Sequence, residues 1–218
     1  MVVHKIAVVS VNLGNFDPIY PSIKQSIDCD FYHFTDKNFP PRYCAMTPRM
    51  QARIPKAFGW QMIPDYDIYI WIDSSMTISN KDTVKWFIEQ LGNKDAAFFK
   101  HPDRETIQEE ADFIKNKIEQ KNYYLTPRYS NELIDEEIKE IKDTAYPLET
   151  PLIASTAFVY RNHKDIQLMM KEWWYHISRY HIVDQIGLPY ALWKYDIKYN
   201  LINEHYMKTP YLTYTRNK

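Results

Sequence analysis

Asp65-Tyr66-Asp67-Ile68-Tyr69-Ile70-Trp71-Ile72-Asp73-Ser74-Ser75 is a run of β-formers that stops at an acid and two small hydroxyl residues. Ile68 to Ile72 show no polar alternation, the pattern of a strand covered on both faces, as at the centre of an α/β sheet. Ligands of such sheets gather beyond the carboxyl ends of the strands. Asp73 is therefore expected where a metal or a phosphate is handled, with Ser74 and Ser75 small enough to admit it. The same three residues equally suit a strand-terminating Asx or Ser turn.

Outward from this strand the pattern repeats. Ile6 to Asn12 is a β-branched run closed by Leu13-Gly14-Asn15-Phe16-Asp17, a strand followed by a loop able to face a ligand. Asp28 to Phe34 and Asp95 to Lys100 are shorter strands that end in Thr35-Asp36-Lys37-Asn38 and in His101-Pro102-Asp103-Arg104. Strands that repeatedly end in polar clusters are what a site built on the strand ends of an α/β sheet produces. After Pro48, residues Arg49, Arg53 and Lys56 fall on one face if the helix there is continuous. Pro55 requires either a helix start or the meeting of two short helices.

Further along the chain, helical patterns appear. Lys81 to Leu91, Glu105 to Gln120 and Asn131 to Thr144 read as helices, the last two charged with narrow apolar stripes. Tyr123, Tyr124, Pro127 and Tyr129 between those two form a loop able to close over a ligand. Leu148 to Tyr160 is a strand region whose small hydroxyls permit close approach. Ile166, Met169, Met170, Trp173, Trp174 and Ile177 recur at helical spacing and are expected in the core. Asp184 opens another apolar helix, Ile186 to Lys194, where a carboxylate either caps or reacts. A Tyr-rich strand then leads to His205, an imidazole placed where a metal site wants one.

Composition removes several function classes. The 218 residues carry 27 Lys and Arg against 28 Asp and Glu, a net charge of -1 without the footprint of a nucleic-acid binder. With 4 Gly, standing far apart, there is no place for a Gly-rich phosphate loop. Cys29 and Cys44 match no metal-ligand spacing and are expected as reduced thiols. The apolar N-terminal stretch is too short and strand-like for a signal peptide, and nowhere do about 18 apolar residues run together. A soluble, cytoplasmic protein of one domain over residues 1–218 is the expectation, without nucleic acid or an integral membrane segment.

Taken together, Trp71-Ile72-Asp73-Ser74-Ser75, His101-Pro102-Asp103-Arg104, Glu149-Thr150-Pro151-Leu152-Ile153 and the segment Asp184-Gln185-Ile186-Gly187-Leu188-Pro189 resemble a known family. It is the GT-A-type glycosyltransferase domain shared by plant pectin and mucilage proteins, bacterial capsule and lipopolysaccharide proteins, and a chlorella-virus glycosyltransferase. The resemblance runs from Lys5 to about His205. It implies an α/β fold: a single GT-A-like, Rossmann-like nucleotide-binding domain with a mixed, mainly parallel central sheet flanked by helices. About 1–100 would form the nucleotide-sugar half and about 101–218 the acceptor half. It further implies transfer of a sugar from a nucleoside-diphosphate sugar, UDP favoured, to a glycan or glycoconjugate acceptor in polysaccharide biosynthesis.

Residue roles follow from the same resemblance. A divalent metal, manganese favoured over magnesium, would be held by Asp73 and His205. Leu13, Asn15, Asp17 and Asp36 would hold base and ribose, and Arg53 and Lys56 the diphosphate. Ser75 would belong to the cofactor-binding set, and Arg104 would meet the donor sugar or the acceptor. Asp184 would act as general base in an inverting reaction, with Glu149 as its rival. Where the wider class has Asp-x-Asp, this chain has Asp73-Ser74-Ser75. The missing carboxylate also suits a catalytically degenerate module that binds nucleotide-sugar or glycan. A ceramide-cleaving hydrolase would call for membrane segments or a metal-histidine cluster, and the sequence shows neither.

Overall fold

The computed structural model describes residues 4–18, 21–42 and 44–215. In chain order its elements are β1 (Ile6–Asn12), β2 (Asp30–Thr35), α1 (Pro48–Gln51), α2 (Arg53–Met62), β3 (Ile68–Ile72), β4 (Met76–Ile78), α3 (Thr83–Leu91) and β5 (Ala96–Lys100). There follow α4 (Ile107–Glu119), α5 (Thr126–Tyr129), α6 (Ile134–Lys142), β6 (Ile153–Arg161), α7 (Lys164–Arg179), α8 (Asp184–Lys194), β7 (Tyr199–Ile202) and β8 (Leu212–Tyr214).

One six-stranded sheet, in the order β2-β1-β3-β6-β5-β7, organises the chain. β2, β1, β3, β5 and β7 run one way and β6 runs against them, so the sheet is mixed and mainly parallel. β3 is buried along its whole length between β1 and β6, which accounts for its unbroken apolar run. Alternate side chains serve two cores, following the period of two along a strand. Val9, Tyr69, Trp71, Phe98 and Phe158 pack under α2, α7 and α8 with Met169, Met170, Trp173 and Leu188. Val8, Ile68, Ile70, Ala97 and Phe99 pack on the other face with Val84, Trp86, Phe87 and Leu91 of α3. A third cluster joins α4, α6 and α8 through Ile107, Ile114, Ile138, Ile141 and Ile186.

Local chemistry explains most boundaries. Thr47 caps α1 by accepting a hydrogen bond from the Met50 amide at 3.2 Å, with Pro48 opening the first turn. Two short helices do meet here, at Ala52 and not at Pro55, which falls in the first turn of α2, where its missing N–H costs nothing. β6 begins at Ile153, later than Leu148, because the Thr150 amide is turned back to the Pro147 carbonyl at 3.0 Å and Pro151 has no donor to offer a ladder. β4 and β8 pair antiparallel in a separate two-stranded sheet, which brings residues 212–214 back beside the Asp73 turn. Among the described residues no helix is long and apolar enough to cross a membrane.

Candidate active site at the carboxyl edge of the sheet

The parallel strands deliver their carboxyl ends to one edge, and a cavity of about 480 Å³ opens there. Asn12, Leu13, Phe16 and Asp17 line it from the loop after β1, and Trp71, Asp73, Ser74 and Ser75 from the end of β3. Thr156 comes from the amino-terminal part of β6, which reaches the same edge because that strand is antiparallel. Arg49 and Arg53 enter from α1 and α2, Tyr124, Arg128 and Tyr129 from the segment around α5, and Tyr206 and Tyr214 from the C-terminal region.

Behind Asp73 lies a buried charge network. The Lys56 ammonium, 1% exposed, donates to Asp73 Oδ1 at 3.2 Å, to Ser155 Oγ at 3.3 Å and to Asp184 Oδ2 at 2.8 Å. Its Nζ also lies 5.6 Å from the centre of the Trp71 ring and 5.8 Å from that of Trp173. Asp73 Oδ1 accepts a second bond, from Trp71 Nε1 at 2.7 Å. Asp184 is closed in by Ser155 Oγ at 2.7 Å and by Arg53 Nε at 3.2 Å, while Trp173 Nε1 donates to its backbone carbonyl at 2.6 Å. Burial alone would raise the Asp184 pKa, but Arg53 and Lys56 outweigh it and hold the carboxyl at about 2. Asp73 stands both in a turn and at the cavity. Its carbonyl accepts the Met76 amide at 2.9 Å in a turn, and its side chain keeps 26% of its surface exposed at the cavity.

The loop after β1 is fixed from two sides. Ser74 Oγ donates to Asp17 Oδ2 at 2.7 Å, and Asn12 Nδ2 donates to the Asp17 carbonyl at 2.6 Å. Gly14, at φ 75°, presents its amide to both Asp36 carboxylate oxygens at 2.9 and 3.2 Å. Asp36 thus braces the loop from outside, and Asn15 is exposed beside it, whereas Leu13 and Asp17 line the cavity.

Several expected site residues lie elsewhere. Glu149 is exposed in the turn before β6, and Asp184 lies beneath the cavity lining, joined to it through Lys56 and Arg53. Arg104 pairs with Glu110 and donates to His101 Nε2 at 2.9 Å, with its guanidinium 4.2 Å from the Phe113 ring centre. Burial and then the Arg104 charge push the His101 imidazole down to about 4. His205 accepts the Met207 amide at Nδ1, 3.2 Å away, and its neighbour Tyr206 is the residue that lines the cavity. Arg128, Tyr206 and Tyr214 have no distinguishing signal in the sequence, although the tyrosine loop around α5 does.

A divalent cation does not fit this donor set. The carboxylates lining the cavity are Asp17 and Asp73, and one Asp73 oxygen is already taken by the Lys56 ammonium and the Trp71 N–H. Among the described residues no three His, Cys, Asp or Glu side chains are grouped to hold a metal ion.

The model of a family described as TOD1/MUCI70, glycosyltransferase-like domain, matches residues 42–211. Similar solved structures include a glycosyltransferase involved in the glycosylation of the major capsid of PBCV-1, at 10% identity and a TM-score of 0.45, over 91% of this chain and 82% of that one. The apo bifunctional glycosyltransferase WbbM shares 10% identity at a TM-score of 0.43, over 91% of this chain and 39% of its own length. Apo mouse xyloside xylosyltransferase 1 shares 10% identity at a TM-score of 0.42, over 80% and 63%. No curated protein sequence matches the chain.

Proposed function

From the premise that this chain belongs to the TOD1/MUCI70 glycosyltransferase-like domain family, we propose that it transfers a hexosyl or deoxyhexosyl group from a nucleoside-diphosphate sugar, UDP favoured, to a glycan or glycoconjugate acceptor of polysaccharide biosynthesis. The observation that carries the reading is the cavity at the carboxyl edge of the sheet, where Arg49, Arg53 and Arg128 meet Asp17 and Asp73.

Glycosyl transfer breaks the bond between the anomeric carbon and the diphosphate, so negative charge grows on the leaving group as the sugar becomes cationic. Guanidinium groups aimed at the diphosphate stabilise that charge, and they do so most where water is excluded. The loop Leu13 to Asp17 offers a short apolar wall and a carboxylate suited to ribose hydroxyls. Tyr124, Tyr206 and Tyr214 supply flat faces of the kind that pack on sugar rings. Asp184, with its carboxylate held by Lys56, Arg53 and Ser155, is a positioning residue in this reading: it holds Lys56, and Lys56 holds Asp73.

A catalytically degenerate nucleotide-sugar or glycan-binding module is the second reading. It is favoured by the commitment of Asp73 and Asp184 to Lys56, which leaves Asp17 as the remaining cavity carboxylate to take an acceptor proton. One experiment separates the two. Calorimetric titration with UDP, GDP and CDP is followed by incubation with the matching sugar nucleotides and mixed glycan acceptors, with release of nucleoside diphosphate as the readout. The transferase reading expects binding of one diphosphate and its acceptor-stimulated release. Binding without release identifies the module, and no binding of any nucleotide removes the transferase reading and leaves glycan binding as the reading to test.

A further inference from the structure

We infer that the donor diphosphate is neutralised by an arginine cluster, Arg49, Arg53 and Arg128, and not by a divalent cation, because Lys56 already fills the cation position behind Asp73. The inference rests on the nucleotide-sugar reading given above and specifies its electrostatics.

Lys56 is fixed as a bound ion would be. Three oxygen ligands surround its ammonium, from Asp73, Ser155 and Asp184, at 3.2, 3.3 and 2.8 Å. Two indole faces, of Trp71 and Trp173, close the remaining sides at 5.6 and 5.8 Å. With 1% of its surface exposed, the side chain has no room to swing aside. A divalent ion approaching Asp73 from the cavity therefore meets a fixed positive charge on the far side of the same carboxylate, which weakens that carboxylate as a ligand. Charge-compensated carboxylates are poor ligands for hard cations, which take their affinity from anionic oxygens.

The counter-charge that a diphosphate needs is present in another form. Arg49, Arg53 and Arg128 line the cavity from α1, α2 and α5. The Arg49 guanidinium lies 5.7 Å from the centre of the Phe16 ring, and that of Arg128 lies over the Tyr124 ring. Arg53 is anchored by its Nε at Asp184, 3.2 Å away. These three arginines line the cavity together with Asp17 and Asp73, while Lys56 and Asp184 pair behind it. An arginine fork meets two phosphate oxygens at once, and three forks can serve a diphosphate without a metal.

The test is calorimetric titration of the wild-type chain with the nucleoside diphosphate selected from the UDP, GDP and CDP panel, once in EDTA and once in manganese. The expected result is an affinity in EDTA within about threefold of that in manganese, a difference too small for a lost phosphate ligand. Arg49→Gln and Arg128→Gln should each weaken diphosphate binding about tenfold while weakening nucleoside binding much less, as loss of a charge-assisted fork requires. Arg128→Lys, which keeps the charge and loses the fork, should fall between, and circular dichroism confirms that each variant is folded. Binding that appears only with manganese, or arginine variants that bind like wild type, overturns the inference and leaves the glycosyltransferase reading standing. Absence of binding under both conditions removes the inference together with that reading.

Discussion

Asp184 joins two cations from α2 to the start of α8, and its ionisation carries a measurable share of the stability. A carboxyl with an ordinary pKa of 3.8 is held at about 2 in the fold, so the folded state binds fewer protons than the unfolded one between those values. The resulting stability is fully present above the ordinary value and is lost as the pH falls through about 2, and it amounts to about 2 kcal/mol. In Asp184→Asn this part of the pH dependence disappears: urea unfolding of the variant should change with pH less steeply than wild type in that window, whatever its absolute stability. Equal slopes would mean that the carboxylate is not ionised against Lys56 and Arg53. At this scale the sequence was only partly legible. Asp73 was readable as the acid at the end of a buried strand, and it lines the cavity. Asp184 was readable as an acid at a helix start and Lys56 as part of a basic helix face, but their contact spans 128 positions, and no local pattern records a pairing at that distance. The resemblance accordingly sets Lys56 against a diphosphate, whereas its three oxygen partners are the chain's own side chains.

The contact between α7 and α8 depends on one small residue. A Cβ at Gly187 would lie 2.7 Å from Glu137 Oε1 and 2.8 Å from His176 Cβ. Neither neighbour can yield easily. Glu137 is 1% exposed, accepts from His176 Nδ1 at 2.7 Å and lies in ion-pair contact with His181, and the His176 Cβ is fixed to the backbone of α7. Gly187→Ala gains about 1 kcal/mol of helix propensity but overpacks a buried polar cluster, at a cost of about 1–3 kcal/mol. We expect net destabilisation, seen as a lower urea midpoint at unchanged slope; an unchanged or higher midpoint would show that α8 can shift away from α7. Elements with strong periodicity were readable in advance. β3 has the bounds its apolar run indicates, and Met169, Met170 and Trp173 of the α7 stripe are buried in the core while Trp174 is only partly so. β4 and β8 were not, because three residues are too few to display a period of two. The helix at Thr126–Tyr129 escaped for the same reason, although the tyrosines around it read as a loop able to close over a ligand, and Tyr124 and Tyr129 line the cavity.

Taken as a whole, the molecule closes its cavity with segments far apart in the chain, from Val11 to Tyr214. The C-terminal closure can be tested without disturbing the core. A chain ending at Leu212 keeps the Tyr211 ring stacked on Trp86 and the buried Leu212 side chain, but loses Tyr214 and the 2.8 Å bond from the Thr215 amide to the Ser75 carbonyl. Its melting temperature should fall by only about 2–4 °C, as for a loss near 1 kcal/mol in a chain of this size, while nucleotide affinity drops about tenfold or more. Unchanged affinity would place the donor away from β8. The α/β class and the polar strand ends were legible because a sheet covered on both faces leaves apolar runs and sends its functional residues to one edge. The direction of β6 was not, since a buried strand reads alike in either sense. That strand also governs the order in which the chain can fold. β6 lies between β3 and β5, both of which precede it, and β7 on the far side of β5 comes later still. During synthesis the apolar Ile68–Ile72 segment therefore waits with one edge unpaired until residues 153–161 have been made. A nascent chain halted before that point presents an open, aggregation-prone edge.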